Sequence, residues 1–204
     1  MTALRKTPVA LNPDAAPFVI RAERARDVVT REALLDACFG ANRHARTCQR
    51  LRDGRMPAEG LAFSAVQNGR LVGTLRLWHV SAGDVPALML GPLAVDKSCR
   101  KLGVGAALMD QALAAATALG HGAVILLGDA PYYARFGFSP AKTGELALPG
   151  PFERDRLLGL ELRQGALDGA RGMIAPTGAL LPDTVSKRQA SRASKAAQLV
   201  PHAA

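Results

Sequence analysis

The sequence predicts a single α/β domain, and three observations support that class. The chain has 204 residues, of which 49% are hydrophobic, and shows no internal repeat, which suits one apolar core. Asn68-Gly69 separates two strand-like stretches and is the favoured two-residue turn of a tight hairpin. The apolar run 87–95 leads through Gly103 and Gly105 into a long Ala- and Leu-rich segment, as expected for a strand, a turn and a helix.

The first third of the chain predicts a strand followed by two helices. Residues 1–17 contain three prolines and are expected to be a flexible lead-in. The strand begins with Phe18-Val19-Ile20-Arg21, and Asp27 is placed to cap the helix that follows. A second short helix is expected over about 42–51.

The middle third predicts a hairpin, a buried strand and a long helix. Leu61–Val66 and Leu71–Val80 form the hairpin strands. The run 87–95 has no polar alternation, so it is expected to be buried on both faces. Pro92 has no N–H to donate and marks either a bulge or a point where strand pairing opens. The helix after Gly103 should end at Gly120.

The last third predicts a short strand over 124–127, a brief helix capped by Asp129, and a final strand pair formed by 156–163 and 165–167. The domain is expected to span 18–175. The segment 176–204 has few large apolar residues and carries Lys187, Arg188, Arg192 and Lys195 against Asp183. It is therefore expected to be a disordered basic tail.

Composition argues against several classes of protein. No apolar run approaches the ~20 residues of a membrane span, and the N-terminus lacks a signal-peptide core, so a cytoplasmic location without membrane contact is expected. Three cysteines without a C-x-x-C pair argue against a disulfide framework, and no His/Cys spacing predicts a metal. The net charge is +9, but the basic tail residues are sparse and have no interleaved aromatics, so nucleic-acid binding is not expected.

The loop Arg100-Lys101-Leu102-Gly103-Val104-Gly105 is the most informative motif. It lacks the Gly-Lys-Ser/Thr of a Walker loop, and Leu108 stands where a dinucleotide fingerprint needs a third glycine. Two glycines at a helix start let the backbone approach a ligand, and the free N–H groups of the first turn form an anion site. A phosphate-bearing cofactor is the expected occupant.

A second motif, Y-x-x-x-G-F, is formed by Tyr133, Gly137 and Phe138. Together with R-x-x-G-x-G at Arg100–Gly105, it resembles the GNAT superfamily of N-acetyltransferases, and the resemblance spans roughly 18–172. It implies a mixed, mostly antiparallel twisted sheet, flanked by helices, with a central splay that holds acetyl-CoA. It also implies that the two early helices shape the acceptor pocket.

The resemblance also implies roles for individual residues. Main-chain groups of Leu93, Ala94 and Val95 would bind pantetheine, and one N–H would polarise the thioester carbonyl. Backbone N–H groups of the loop and the first helical turn would bind the pyrophosphate, and the side chains of Arg100 and Lys101 would add positive charge. The residues of this site are Arg100, Lys101, Leu102, Gly103, Val104, Gly105 and Ala106. Tyr133 occupies the position of the general acid that protonates the leaving thiolate, with Tyr132 as the fallback.

One family contact has no counterpart here, because the segment 128–131 is short and lacks the asparagine that many members carry. The general base is not set by a motif. His79, Glu59, Asp84 and a water chain are the candidates.

The resulting expectation is acetyl transfer from acetyl-CoA to a primary amine, by direct attack in a ternary complex and without a metal. A small molecule is the favoured acceptor class. A protein N-terminus or lysine, and a CoA-binding module without transferase activity, are the alternatives. The identity of the amine and the oligomeric state, including a homodimer, are left open.

Overall fold

The computed structural model describes residues 18–182. The predictions for 1–17 and for most of 176–204 therefore lie outside the described residues. Nine strands form one sheet: β1 Phe18–Ala22, β2 Ala62–Gln67, β3 Arg70–Ala82, β4 Val85–Leu90, β5 Ala94–Val95, β6 Ala123–Leu127, β7 Leu146–Ala147, β8 Leu157–Glu161 and β9 Gly172–Pro176. The helices are α1 Val28–Phe39, α2 Val104–Ala118 and α3 Ala130–Ala134.

The sheet runs β1-β2-β3-β4-β6-β8, with β5 and β9 also paired to β3. All of these pairs are antiparallel except β4 with β6, and β7 with β9. The predicted hairpin is confirmed: Asn68 and Gly69 have φ of 50° and 75°, the conformation that a two-residue turn of this kind requires. The mixed, mostly antiparallel sheet is also confirmed.

Helices lie on opposite faces of the sheet. On one face α2 packs on the cluster that includes Leu75, Leu77 and Leu126. On the other, α1 packs against Leu71 and Ala94. We call these the α2 face and the α1 face.

Three local predictions need correction. Asp27 does not cap α1, because its carboxylate accepts from the backbone N–H of Arg24 at 2.8 Å and pairs with Arg21. The second short helix is two 3₁₀ turns, Ala41–Ala45 and Thr47–Leu51. The strand expected at 165–167 is a turn.

The described chain also continues past the expected boundary at 175. β9 ends at Pro176, and the residues after it bond back to the domain: the N–H of Thr177 donates to His79 O at 3.1 Å and that of Met56 to Ala179 O at 2.8 Å. No described helix is long and apolar enough to cross a bilayer.

Candidate active site

The sheet opens where β4 ends. Only Leu88 and Met89 pair with β6, opposite Val124 and Ile125, although β6 continues to Leu127. After Gly91 and Pro92 the chain resumes as β5, which pairs with β3 instead. This leaves a gap, which we call the opening, between β5 and the carboxyl end of β6. The break that Pro92 predicted lies at its edge.

The main chain of β5 presents groups to the opening. The N–H of Asp96 donates to Val72 O at 2.9 Å, so in an antiparallel ladder the groups of Ala94 also point to β3, whereas those of Val95 point away. The Val95 carbonyl accepts from the Cys38 thiol at 3.4 Å. Of the three predicted pantetheine contacts, Val95 directs its main chain away from β3, Ala94 directs its main chain toward β3, and Leu93 precedes β5.

The start of α2 carries a set of unsatisfied amides. The first α2 amide to close a helical turn is that of Ala107, which donates to Gly103 O at 2.9 Å. The N–H groups of Val104, Gly105 and Ala106 therefore have no intrahelical partner. Together with the positive end of the helix dipole, these amides have the arrangement expected of the predicted anion site.

Charge accumulates beside these amides. Lys97, Arg100 and Lys101 are exposed on the preceding loop and form no ion pair within the described part of the chain. Lys101 has φ of 71°, which is rare for a residue with a side chain. Leu102 and Gly103, with φ of 79° at the glycine, complete the turn into α2.

The loop is held in place by the hairpin. Asp96 accepts from the N–H and the hydroxyl of Ser98, at 2.9 and 2.7 Å. Arg70, the first residue of β3, donates to Asp96 at 2.8 Å and to the Ser98 hydroxyl at 3.1 Å. The sequence analysis missed this brace, since nothing in the chain order brings Arg70 beside the loop.

The two tyrosines occupy different environments. A Cβ placed on Gly105 would lie 3.1 Å from the Tyr132 hydroxyl and 3.5 Å from the Val95 side chain, so Tyr132 reaches across to the first turn of α2. Tyr133 packs against the α2-face cluster, and its ring lies so close to Gly128 that a Cβ there would approach it to 2.2 Å. Burial raises the pKa of Tyr133 to about 12, so its phenol remains protonated at neutral pH.

A short helix, α3, positions both rings. Asp129 caps it as predicted, accepting from the N–H of Tyr132 at 3.3 Å, and Pro131 lies in its first turn. Neither tyrosine hydroxyl has a hydrogen-bond partner among residues 18–182. Both phenols are therefore free to bind a ligand.

The α1 face of the opening is walled by the 3₁₀ turn Thr47–Leu51 and by the loop 148–153. The Thr47 hydroxyl donates to Pro151 O at 2.5 Å, and Arg50 donates to Pro149 O at 2.5 Å. Below them, the Trp78 indole donates to Gly91 O at 2.6 Å. Trp78 is 6% exposed and belongs to the core, and it also lies at the edge of the opening.

The candidate bases lie elsewhere. His79 contacts His121, beyond the carboxyl end of α2, with ring centroids 5.3 Å apart. Glu59 precedes Gly60, which contacts Leu119 at that same end, and Asp84 lies in the turn between β3 and β4. None of the three side chains is at the opening. Among residues 18–182, no three His, Cys, Asp or Glu side chains are grouped to hold a metal.

The sequence analysis also missed Arg52, which follows the 3₁₀ turn and reaches toward Gly91. A charge count would have indicated this region, because the segment 40–55 contains five arginines and one acidic residue: Arg43, Arg46, Arg50, Arg52 and Arg55 against Asp53.

Comparison with known proteins supports the same family and the same fold. A sequence model of the acetyltransferase (GNAT) family matches residues 29–138. The uncharacterized N-acetyltransferase YhbS of Escherichia coli K12 is 28% identical over 159 residues, which is 77% of this chain and 95% of YhbS. The uncharacterized N-acetyltransferase YjhQ of the same strain is 30% identical over 131 residues, covering 62% of this chain and 68% of YjhQ.

Two solved structures share the fold. The crystal structure of YhbS from Escherichia coli in complex with CoA has a TM-score of 0.69 at 28% identity, covering 82% of this chain and 94% of that one. A GNAT family acetyltransferase from Brucella melitensis in complex with acetyl-CoA has a TM-score of 0.53 at 23% identity, covering 76% and 100%. Since the family match spans more than half of the 204 residues, the chain belongs to the GNAT family of acetyltransferases.

Proposed function

We propose that the protein transfers an acetyl group from acetyl-CoA to a primary amine of a small molecule, by direct attack in a ternary complex. The observation that carries this proposal is the group of free amides at the start of α2, flanked by three unpaired cations and adjoining the opening. A phosphate-bearing donor with a long arm suits such a site. The CoA bound by YhbS supports the choice of donor.

The donor would lie with its pyrophosphate on the amides of residues 104–106 and its arm along β5. In an antiparallel pairing, the N–H of Val95 is the β5 donor available to that arm and to the thioester carbonyl, and the N–H of Leu93, which precedes β5, is the second candidate. A donor aimed at the carbonyl oxygen stabilises the negative charge that develops there as the amine attacks. Ala94 takes no part, because its main chain is paired with Thr74.

The reaction forms one bond and breaks another. The neutral amine nitrogen attacks the thioester carbon, and the tetrahedral intermediate then expels the coenzyme thiolate. Tyr133 gives its proton to that sulfur and regains one from solvent, while the amine's excess proton leaves through water. The raised pKa of Tyr133 keeps the acid loaded at working pH.

A small acceptor is favoured by the walls of the α1 face. The loop 148–153 is tied to the 3₁₀ turn by the bonds of Thr47 and Arg50, which narrows the approach to the opening. A compact amine passes such walls more readily than a folded protein surface does. The three free cysteines, Cys38, Cys48 and Cys99, agree with a cytoplasmic location, which we propose as well.

The test is amine-dependent release of the coenzyme thiol, measured over a panel of small amines and of peptides with free N-termini or lysines. The proposal predicts release with small amines. Release with peptides alone would favour the protein acetyltransferase, and binding of CoA without amine-dependent release would favour a binding module.

The matched variants Tyr133→Phe and Tyr132→Phe test the acid. Loss of the Tyr133 hydroxyl should lower kcat by roughly 10²–10⁴-fold with little change in coenzyme affinity. Tyr132→Phe should be far milder. A large loss in Tyr132→Phe alone would transfer the role to Tyr132, whose hydroxyl lies over Gly105.

A further inference from the structure

Arg52 lies at the edge of the opening on the α1 face. The preceding residue, Leu51, is buried in the cluster that contains Trp78 and Met89, which anchors the turn to this face of the sheet. From there the Arg52 guanidinium reaches the end of β4: its Nη1 is 3.8 Å from the position that a Cβ on Gly91 would occupy. Arg52 and Trp78 therefore converge on Gly91, where the opening begins.

Within residues 18–182, the Arg52 guanidinium forms no ion pair. Its one hydrogen bond among the described residues runs from Nη2 to Gln49 Oε1 at 3.2 Å, and its Nε is buried with no acceptor. The neighbouring carboxylate, Asp53, is engaged by Gln49 at 2.6 Å. Burial lowers the pKa of the Arg52 guanidinium, which remains a cation.

Three other arginines on this face have carboxylate partners. Arg31 and Arg76 both pair with Glu23, and Arg43 pairs with Glu32 and with Asp36 at 2.6 Å. Each of these has at least one carboxylate. A buried charged donor that makes no hydrogen bond costs folding free energy. A cation in this state beside an active-site opening therefore indicates a ligand that supplies the acceptor.

The chemistry of that ligand follows from the shape of the group. A guanidinium presents parallel N–H donors that match the two oxygens of a carboxylate. Arg43 is neutralised by its two carboxylates, but the other four arginines of the segment 40–55, against Asp53, add a positive field that favours an anion. The coenzyme phosphates would bind to the loop and the start of α2, so they do not need Arg52. The acceptor is therefore the source of the carboxylate.

We propose that the acceptor is an amino acid or similar amine bearing a carboxylate, and that Arg52 binds this carboxylate and so determines acceptor specificity. The inference rests on the proposed function and narrows its substrate class. In an α-amino acid the amine is two bonds from the carboxylate carbon, so holding the carboxylate at Arg52 keeps the amine beside the opening.

The test uses Trp78, the single tryptophan of the chain, as a binding reporter. CoA-saturated protein is titrated with each of the L-amino acids and with its carboxamide, and indole fluorescence is followed. The wild type should bind its preferred acid roughly 10–100-fold more tightly than the matching amide. Equal affinities, or no binding of any acid, would overturn the proposal.

Three variants separate a specific contact with Arg52 from the general positive field of the segment. Arg52→Met should abolish the preference for acid over amide, whereas Arg46→Met removes an exposed charge from the same segment and should retain it. Arg52→Lys keeps the charge without the planar donor pair and should retain only part of the preference. A preference that survives in Arg52→Met, or is lost equally in Arg46→Met, would contradict the assignment.

A folding check accompanies these variants, and turnover separates the two proposals. Because Arg52 has no carboxylate partner, Arg52→Met should melt at or above the wild-type temperature. Thiol release with amides as good as with acids would refute the role of Arg52 and leave acetyl transfer standing. Binding of acids through Arg52 with no release by any amine would refute acetyl transfer and leave the carboxylate site standing.

Discussion

Gly105→Glu is the perturbation that most cleanly separates coenzyme binding from folding. Gly105 lies in the first turn of α2 and has no positive φ, so a side chain there meets no backbone strain. Its nearest neighbour would be the Tyr132 hydroxyl at 3.1 Å, the end of a side chain that can rotate aside. Glutamate is also a better helix former than glycine and suits the first turn electrostatically. The fold should therefore be unaffected or slightly stabilised.

Coenzyme binding should respond very differently. A carboxylate about 5 Å from one phosphate charge, at an effective dielectric constant of about 20, costs about 3 kcal/mol. Affinity for acetyl-CoA should fall on the order of 10²-fold or more. The matched control is Gln111→Glu, the same charge change at an exposed position of α2. It lies about 9 Å further along the helix axis, close to one Debye length, and should bind acetyl-CoA normally.

Calorimetric titration of the wild type and both variants with acetyl-CoA, together with thermal melts, is the assay. A folded Gly105→Glu protein that binds within threefold of the wild type would refute the assignment of the α2 amides. Gly103→Glu is also expected to lose binding, but it is the weaker test, because Gly103 has φ of 79° and any side chain there strains the turn.

Three further outcomes follow from the structure. The ion pair with Arg21 and the backbone hydrogen bond from Arg24 hold the pKa of Asp27 below the usual range. Asp27 therefore stabilises the fold at pH values above its unfolded-state pKa. This contribution is lost as pH falls below about 5, and denaturant titrations should show a shallower acid loss in Asp27→Asn. Gly128→Ala should displace the Tyr133 ring, costing about 1–3 kcal/mol in chemical denaturation and lowering kcat. Ending the chain after Pro176 should lower the melting temperature relative to ending it after Pro182, because backbone hydrogen bonds that dock 177–182 are lost.

Local patterns in the sequence were sufficient for much of the fold. The Asn68-Gly69 turn fixed the hairpin because both residues tolerate positive φ, and Gly120, with φ of 81°, marks the end of α2 as expected. The loop and the start of α2 are adjacent in the sequence, so the candidate anion site could be predicted from residues 100–106 alone.

Long-range pairing could not be predicted in the same way. β9 pairs with β3 some 90 residues earlier in the chain, and no turn chemistry signals that contact. The direction of the Ala94 N–H could not be predicted either, because it depends on the register of β5 against β3. The position of Arg52 at the opening could not be predicted from the sequence, because only the folded chain places it beside Gly91.

The most direct test of the central claim is mass-spectrometric detection of the acetylated amine. Wild-type protein, acetyl-CoA and the amine panel should yield N-acetyl product and free CoA in equal amounts, at a rate that depends on both substrates. Gly105→Glu should yield neither at the same coenzyme concentration, and Gln111→Glu should match the wild type. Free CoA formed at the same rate without any amine, or product formed equally well by Gly105→Glu, would contradict the account.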